Sequence, residues 1–561
     1  MQPGQFAVRS AGEGLPRERA LSSAPLGRVV SVTGSRAVVA VGADVNRRGN
    51  QGDLLSVGKL LAIEVGQSWT VGLIYAIEAA GPSRPNTVLA SIELQGEIRP
   101  SPGGRSVFDR GIRTYPPVNA AVYEMDTAAL ETIYDYTGKQ TISIGKLSQD
   151  ESIEATLRVQ DLLQKHFAVL GTTGCGKSSA VALLLDRILK ATDSTRVLLI
   201  DPHNEYAAAF KEEAEVISPR TLSLPFWLFN FEEIIDVIYR RRPGVTEEVE
   251  LLADLIPLAK TRYALGSDRS ERVGTLIRKD TGDESGGYTV DSPVPYRIGD
   301  ILAMIDEQLG KLEGSETRPM LRRLKARIQS VINDTRYQFM FSSRTIEDTM
   351  ADLLKTLFRI PAGGRRITIV EMAGFPAEVV DAVVSVLCRM AFDVGVWGRA
   401  QLPLLVVCEE AHRYVPADKR LGFGPTRRSI SRIAKEGRKY GVYLGLVTQR
   451  PAELDPTILS QCSSIFAMRM ANEADHAIIR SAVSDAASST LAALPSIGNR
   501  EAIAFGEAVS MPMRVRFASL PPDRLPQNQL PGLRSTLTET DTKGFIEEVV
   551  RRWRTVARRE R

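Results

Sequence analysis

The stretch KHFAVLGTTGCGKSS, Lys165 to Ser179, decides how this chain is read. A short apolar run, His166 to Leu170, ends directly in a glycine-rich turn, and Ser178 to Lys190 then takes helical spacing. Within it GTTGCGKS, Gly171 to Ser178, fits G-x-x-x-x-G-K-[ST] at every fixed position. The glycines let backbone N–H groups turn inward around phosphates. Lys177 supplies a point charge for the β- and γ-phosphates, and the Ser178 hydroxyl can hold Mg²⁺. The following helix aims its positive N-terminal end at the same anion. Gly171, Thr173, Gly174, Cys175, Gly176, Lys177, Ser178 and Ser179 are therefore the expected nucleotide-binding residues, with ATP and Mg²⁺ as the ligands.

Strand-like runs recur downstream at Val197–Ile200, Ile367–Glu371, Leu404–Cys408, Tyr443–Thr448 and Ser464–Arg469. Strands alternating with helices predict a parallel α/β sheet. The run LPLLVVCEEAHRYVP, Leu402 to Pro416, is an apolar strand ending in two carboxylates. Glu409 takes the position that holds the magnesium shell, and Glu410 the position of a base for the attacking water. LLIDPHNEY, Leu198 to Tyr206, puts Asp201, His203 and Glu205 at another strand tip, as site residues or as turn and capping residues.

Further out, residues 26–105 carry short β-branched runs broken by glycine, among them GRVVSVTGSRAVVAVG (Gly27–Gly42), and predict a small β-barrel. Residues 1–25 read as a flexible arm and 106–150 as a bridging segment. The α/β core falls in two parts, 151–210 and 366–520, around a charged helical insertion, 211–365. Residues 521–561 form a Pro-rich linker and a basic helix whose stripe Phe545, Val549, Trp553, Val556 docks on its own core or a sister subunit, or faces DNA or a partner.

Hydrophobic residues at 43 % and charged residues at 25 % describe a globular protein. A net charge of +4 neither demands nor excludes nucleic acid. Four scattered cysteines without a CxxC pair speak against a disulfide framework or zinc site and for a reducing cytoplasm. No run approaches the roughly 18 apolar residues of a membrane span, and residues 1–25 lack the apolar core of a signal peptide.

Together the segments resemble the HerA family, hexameric DNA-translocating ATPases of the HerA–FtsK group with a RecA-like P-loop core. The matching pieces are Lys165–Ser179, LLIDPHNEY, LLVVCEEAHRYVP, SRIAKEGRKYGVYLGLVTQRP (Ser431–Pro451) and GNREAIAFGEAV (Gly498–Val509), and the N-terminal strands look like the family's small barrel. The resemblance implies a ring of six subunits with ATP between neighbours. It offers Arg438 as the finger reaching the next subunit's γ-phosphate, with Arg432 as second choice and an ordinary surface charge as the alternative. It implies Gln449 as a γ-phosphate sensor and Lys165 as a basic phosphate contact in cis. The family's acidic pair is most often Asp-Glu; here it is Glu409-Glu410.

The expected function is an ATP-driven translocase or helicase on double-stranded DNA, with pore residues in the insertion and around Arg427-Arg428. Family relatives pair with a NurA-type nuclease or with sirtuin-like or nuclease defence effectors, for which the barrel is the natural docking surface. The alternative is an ATP-gated platform that activates an effector with little translocation. A conjugation or secretion ATPase of the same superfamily is weakened by the missing membrane segment.

Overall fold

The computed structural model describes residues 24–42, 55–81, 87–101, 106–134, 136, 139–239, 244–271, 287–310, 316–341, 347–482, 488–527 and 544–551. The expected N-terminal arm up to residue 23 lies outside them, as do Trp553 and Val556 of the C-terminal stripe.

Strands β1 (Gly27–Thr33) and β2 (Arg36–Gly42) form a hairpin around Gly34, whose φ of 57° suits the tight turn the sequence predicts there. β3 (Leu60–Val65), β4 (Ser68–Ala79), β5 (Thr87–Pro100), β6 (Ser106–Arg110) and β7 (Ala121–Glu124) follow. The order β2-β1-β7-β3-β4-β5 closes because β5 pairs back onto β2, and β6 lies outside on β5. Alternation along β2 turns Ala37, Val39 and Val41 inward, where they meet Ile63, Ile74, Ile92 and Val122. Closure leaves the barrel without a free edge among these six strands.

The barrel therefore reaches further than residue 105. β7 lies in the stretch expected to bridge, and it is the strand that joins β1 to β3. A four-residue strand flanked by Pro116, Pro117 and Asn119 carries too little periodicity to stand out in sequence.

The chain then runs through β8 (Thr141–Leu147), β9 (Glu154–Arg158) and β10 (Phe167–Leu170), and on through β11 (Arg196–Asp201), β12 (Ala214–Ile217), β13 (Ile367–Glu371), β14 (Leu404–Cys408) and β15 (Val442–Thr448). β16 (Ser464–Met468), β17 (Glu501–Gly506) and β18 (Met513–Phe517) complete the strands. Two compact units contain them, one of residues 1–191, 449–452 and 463–519, the other of 192–448, 453–462 and 520–561.

In the second unit five strands run parallel in the order β12-β13-β11-β14-β15. β14 is buried along its whole length, the signature of a strand covered on both faces. In the first unit only β10 and β16 are parallel. From β16 the strands β17, β18, β8 and β9 continue antiparallel, an extension beyond the runs expected to form the parallel sheet. β17 and β18 are separated by six residues, a length that serves an antiparallel pair and is too short for a parallel crossover.

The insertion between 211 and 365 is helical, as expected, apart from its start. β12 falls inside that range and pairs with β13. Its helices, among them Phe231–Tyr239, Ile298–Gly310 and Arg318–Ile332, gather apolar side chains around Phe226, which meets Tyr296 edge-on and stacks on Phe341. The Pro-rich tract runs beside residues 205–213 of its own unit: Gln527 N donates to Glu205 O at 3.0 Å, and Arg524 pairs with Glu213 at 2.6 Å. Residues 544–551 are helical and leave Phe545, Ile546 and Val549 exposed. Among the described residues no helix is long and apolar enough to cross a membrane, and the four cysteines are buried free thiols.

Candidate nucleotide site

In the first unit, β10 (FAVL) is fully buried and delivers the chain to the phosphate loop, and the helix Lys177–Ala191 leaves it. Gly174 and Gly176 have φ of 77° and 102°, where L side chains are strained. Their spacing in the motif is therefore a backbone requirement. A Cβ on Gly171 would sit 2.7 Å from Met468 Cβ, and one on Gly176 would sit 2.9 Å from Arg500 Cγ. Thr172 anchors the turn by donating from N and Oγ1 to Arg469 O, at 3.1 and 3.0 Å. Lys177 is 8 % exposed and its Nζ donates to Thr172 O at 3.1 Å, so the ammonium crosses the loop it belongs to.

Cys175 points the other way. Its sulfur lies 4.0 Å from Met468 Sδ, and burial pushes its thiol up, so only its backbone is available to a ligand. Thr173 and Gly174 are exposed on the loop, and Ser178 and Ser179 are half-buried at the helix start. Gln449, the expected sensor, comes to this loop: its side-chain oxygen accepts a hydrogen bond from Thr173 Oγ1.

Lys165 does not come there. It precedes β10 and so lies at the opposite end of the strand from the loop. The four strand residues Phe167–Leu170 lie between that end and Gly171, about 13 Å at about 3.3 Å per residue. Its Nζ pairs instead with Glu507 at 3.2 Å, and that ammonium is the main reason the Glu507 carboxyl titrates below its usual range. The expected contact with phosphate in cis is corrected on this ground.

In the second unit β14 ends at Glu409 and Glu410, which are 4 % and 6 % exposed. Glu410 adopts φ 53° and ψ 45°, a left-handed backbone that costs a non-glycine residue on the order of 1 kcal/mol. Two histidines flank it. His203 Nε2 lies 3.6 Å from Oε1 and His412 Nδ1 lies 3.3 Å from Oε2. The bond to Glu410 raises the His203 pKa above its ordinary value, against the effect of burial.

The tip of β11 divides the roles that the sequence left open. Asp201 is fully buried and accepts from His203 N at 3.2 Å and Tyr206 N at 3.0 Å, which makes it the residue that shapes the turn. His203 is the one that reaches a carboxylate of the acidic pair. Tyr206 is buried, and after burial itself the charge of Glu409 is the largest influence raising its hydroxyl pKa. Sequence reasoning passed over His412, Tyr206 and Arg500. For His412 the signal was present, two residues after the base within EEAH.

The arginines separate as well. Arg438 is exposed on the turn Gly437–Tyr440 and has no ion pair among the described residues. It precedes β15, whereas Glu410 follows the parallel β14, so the two lie at opposite edges of this strand pair, roughly 20 Å apart. Arg432 is engaged in its own unit, 4.1 Å over the Phe392 ring and 3.9 Å from Asp393. Arg427, expected near a pore, is held by Asp455 at 3.0 Å and by Pro416 O, while Arg428 pairs with Glu232. Arg427 is thus engaged within its own unit, while the Arg428 side chain stays half exposed.

A strand, a glycine loop closed on a lysine, and a second strand ending in buried carboxylates define the class: the protein is a P-loop ATPase. Residues 142–391 match the family model described as "Helicase HerA, central domain". A probable helicase of Methanocaldococcus jannaschii is 27 % identical over 444 residues, covering 76 % of each chain. A DNA double-strand break repair helicase HerA of Pyrococcus furiosus is 26 % identical over 456 residues, 77 % of each. Among solved structures, VirB4 of Thermoanaerobacter pseudethanolicus superposes with a TM-score of 0.48 at 15 % identity, over 68 % of this chain and 97 % of that one. Within the P-loop ATPases, the chain is thus similar to the HerA helicases.

Proposed function

We propose that the protein is an ATP-driven translocase on double-stranded DNA that works as a ring, most simply a hexamer. ATP is bound by the loop Gly171–Ser178, with Lys177 at the terminal phosphates. The oxygen donors Ser178 and Glu409 fit Mg²⁺, which binds through one or two protein oxygens, phosphates and water; the ion, when bound, neutralises charge on the phosphates. Glu410 accepts the proton of the attacking water, and Gln449 senses the terminal phosphate.

The observation that carries the ring is Arg438. It is an exposed cation before β15, at the end of the strand pair opposite Glu410. DNA as the track follows from the relatives named as DNA repair helicases. An effector such as a nuclease or sirtuin-like enzyme would dock on the N-terminal barrel.

Mixing inactive subunits tests the reading. Lys177→Ala and Arg438→Ala are each expected to abolish hydrolysis, because an arginine finger is worth about 10³-fold or more. Mixed together, they restore part of it, since the intact loop of one variant meets the intact finger of the other. Failure to complement, with both variants assembled, excludes Arg438 as a trans residue. Full activation of an effector without movement along DNA would favour the platform.

A further inference from the structure

Thr448 closes β15 and is fully buried, beside Leu446 and Val447, where valine would fill the same volume without a polar group. Its hydroxyl is used: Thr448 Oγ1 lies 2.9 Å from His412 Nδ1. The same ring nitrogen lies 3.3 Å from Glu410 Oε2. Nδ1 therefore sits between the Thr448 hydroxyl and the Glu410 carboxylate, and the imidazole side chain is only 11 % exposed. Glu410 itself sits in a left-handed conformation that persists only where its surroundings enforce it.

The next residue after Thr448 is Gln449, whose side chain takes the hydrogen bond from Thr173 on the phosphate loop.

We infer that His412 and Thr448 are positioning residues for hydrolysis: they hold Glu410 in place for the attacking water. This rests on the reading of Glu410 as the base. Neither His412 nor Thr448 touches ATP in this scheme; both act through Glu410. The hydroxyl of Thr448 sets the imidazole, and the imidazole sets the carboxylate. Such a relay affects the chemical step and leaves nucleotide affinity alone, because misplacing a catalytic group by about 1 Å costs about 100-fold in rate.

The test compares Thr448→Val, Thr448→Ser, His412→Ala and Glu410→Gln in the full chain, reading kcat, KM for ATP, and equilibrium binding of a fluorescent ATP analogue. Thr448→Val keeps the volume and removes the hydroxyl. It is expected to lower kcat about tenfold or more with KM and analogue binding within about twofold. His412→Ala should fall at least as far, and Thr448→Ser should recover most of the wild-type rate. Intact analogue binding shows that the variants are folded. Wild-type kcat in both Thr448→Val and His412→Ala, with Glu410→Gln inactive, overturns the inference and leaves the base reading standing. A Glu410→Gln variant that hydrolyses normally overturns the base reading, and the relay with it. An equal loss in Thr448→Val and Thr448→Ser also overturns it, since packing and not the hydroxyl would then be responsible.

Discussion

The phosphate loop and the carboxylate tip of β14 prepare for the same reaction with opposite materials. The loop works through its backbone: Gly174 and Gly176 take positive φ, where an L side chain is strained, and Cys175 turns its side chain away. The tip works through side chains, and its one positive φ falls on Glu410, a residue that resists it. The loop's geometry is therefore written into its own residue types. Around the tip stand groups from elsewhere in the chain, His203 after β11 and His412 beyond β14 beside Glu410, and Thr448 at the end of β15 beside His412.

Substitutions can separate the two halves. The largest effect is expected from Glu410→Gln, which should lower kcat by about 10²- to 10⁴-fold while ATP still binds. Single-turnover hydrolysis beside nucleotide affinity checks this. If the halves differ as described, Lys177→Ala shows the reverse pattern, with affinity itself reduced. Gly176→Ala comes next: its φ of 102° and the 2.9 Å approach to Arg500 Cγ leave no room for a methyl group. A cost of about 1–3 kcal/mol in stability, with weaker ATP binding, is expected by denaturant titration.

This contrast also sets what the sequence can and cannot carry. The glycine spacing, the apolar runs of β10 and β14 and the acid pair could be read in the chain, because each is a local demand of backbone or burial. The place of Gln449 on Thr173 was anticipated only as a sensor position, through resemblance. The His412–Thr448 contact joins residues 36 apart, and no local pattern encodes it. Lys165 was misplaced for the same reason: proximity in sequence to the loop hides that a strand separates the two ends. The pairing of Arg427 with Asp455, 28 residues away, is likewise invisible to local pattern.

A smaller effect sharpens the account of the tip. The His203 ring should titrate above about 6.5 and fall back toward it in Glu410→Gln, as followed by NMR. The sign is that of a histidine gaining a partner. Its contribution to stability is full below the unfolded pKa and is lost as pH rises through the higher folded value. The smallest effect belongs to Lys165→Ala. It removes a partly exposed ion pair with Glu507, worth about 0–1 kcal/mol, and should leave KM for ATP within about twofold. A tenfold rise in KM would return Lys165 to the phosphate site.

The most direct measurement for the motor as a whole is displacement of a protein block from long linear duplex DNA, timed against ATP hydrolysis in the same reaction. The account predicts that duplex DNA stimulates hydrolysis and that the wild-type protein clears the block, while Glu410→Gln binds ATP and clears nothing. Rapid hydrolysis that duplex DNA does not alter, with the block left in place, would contradict it.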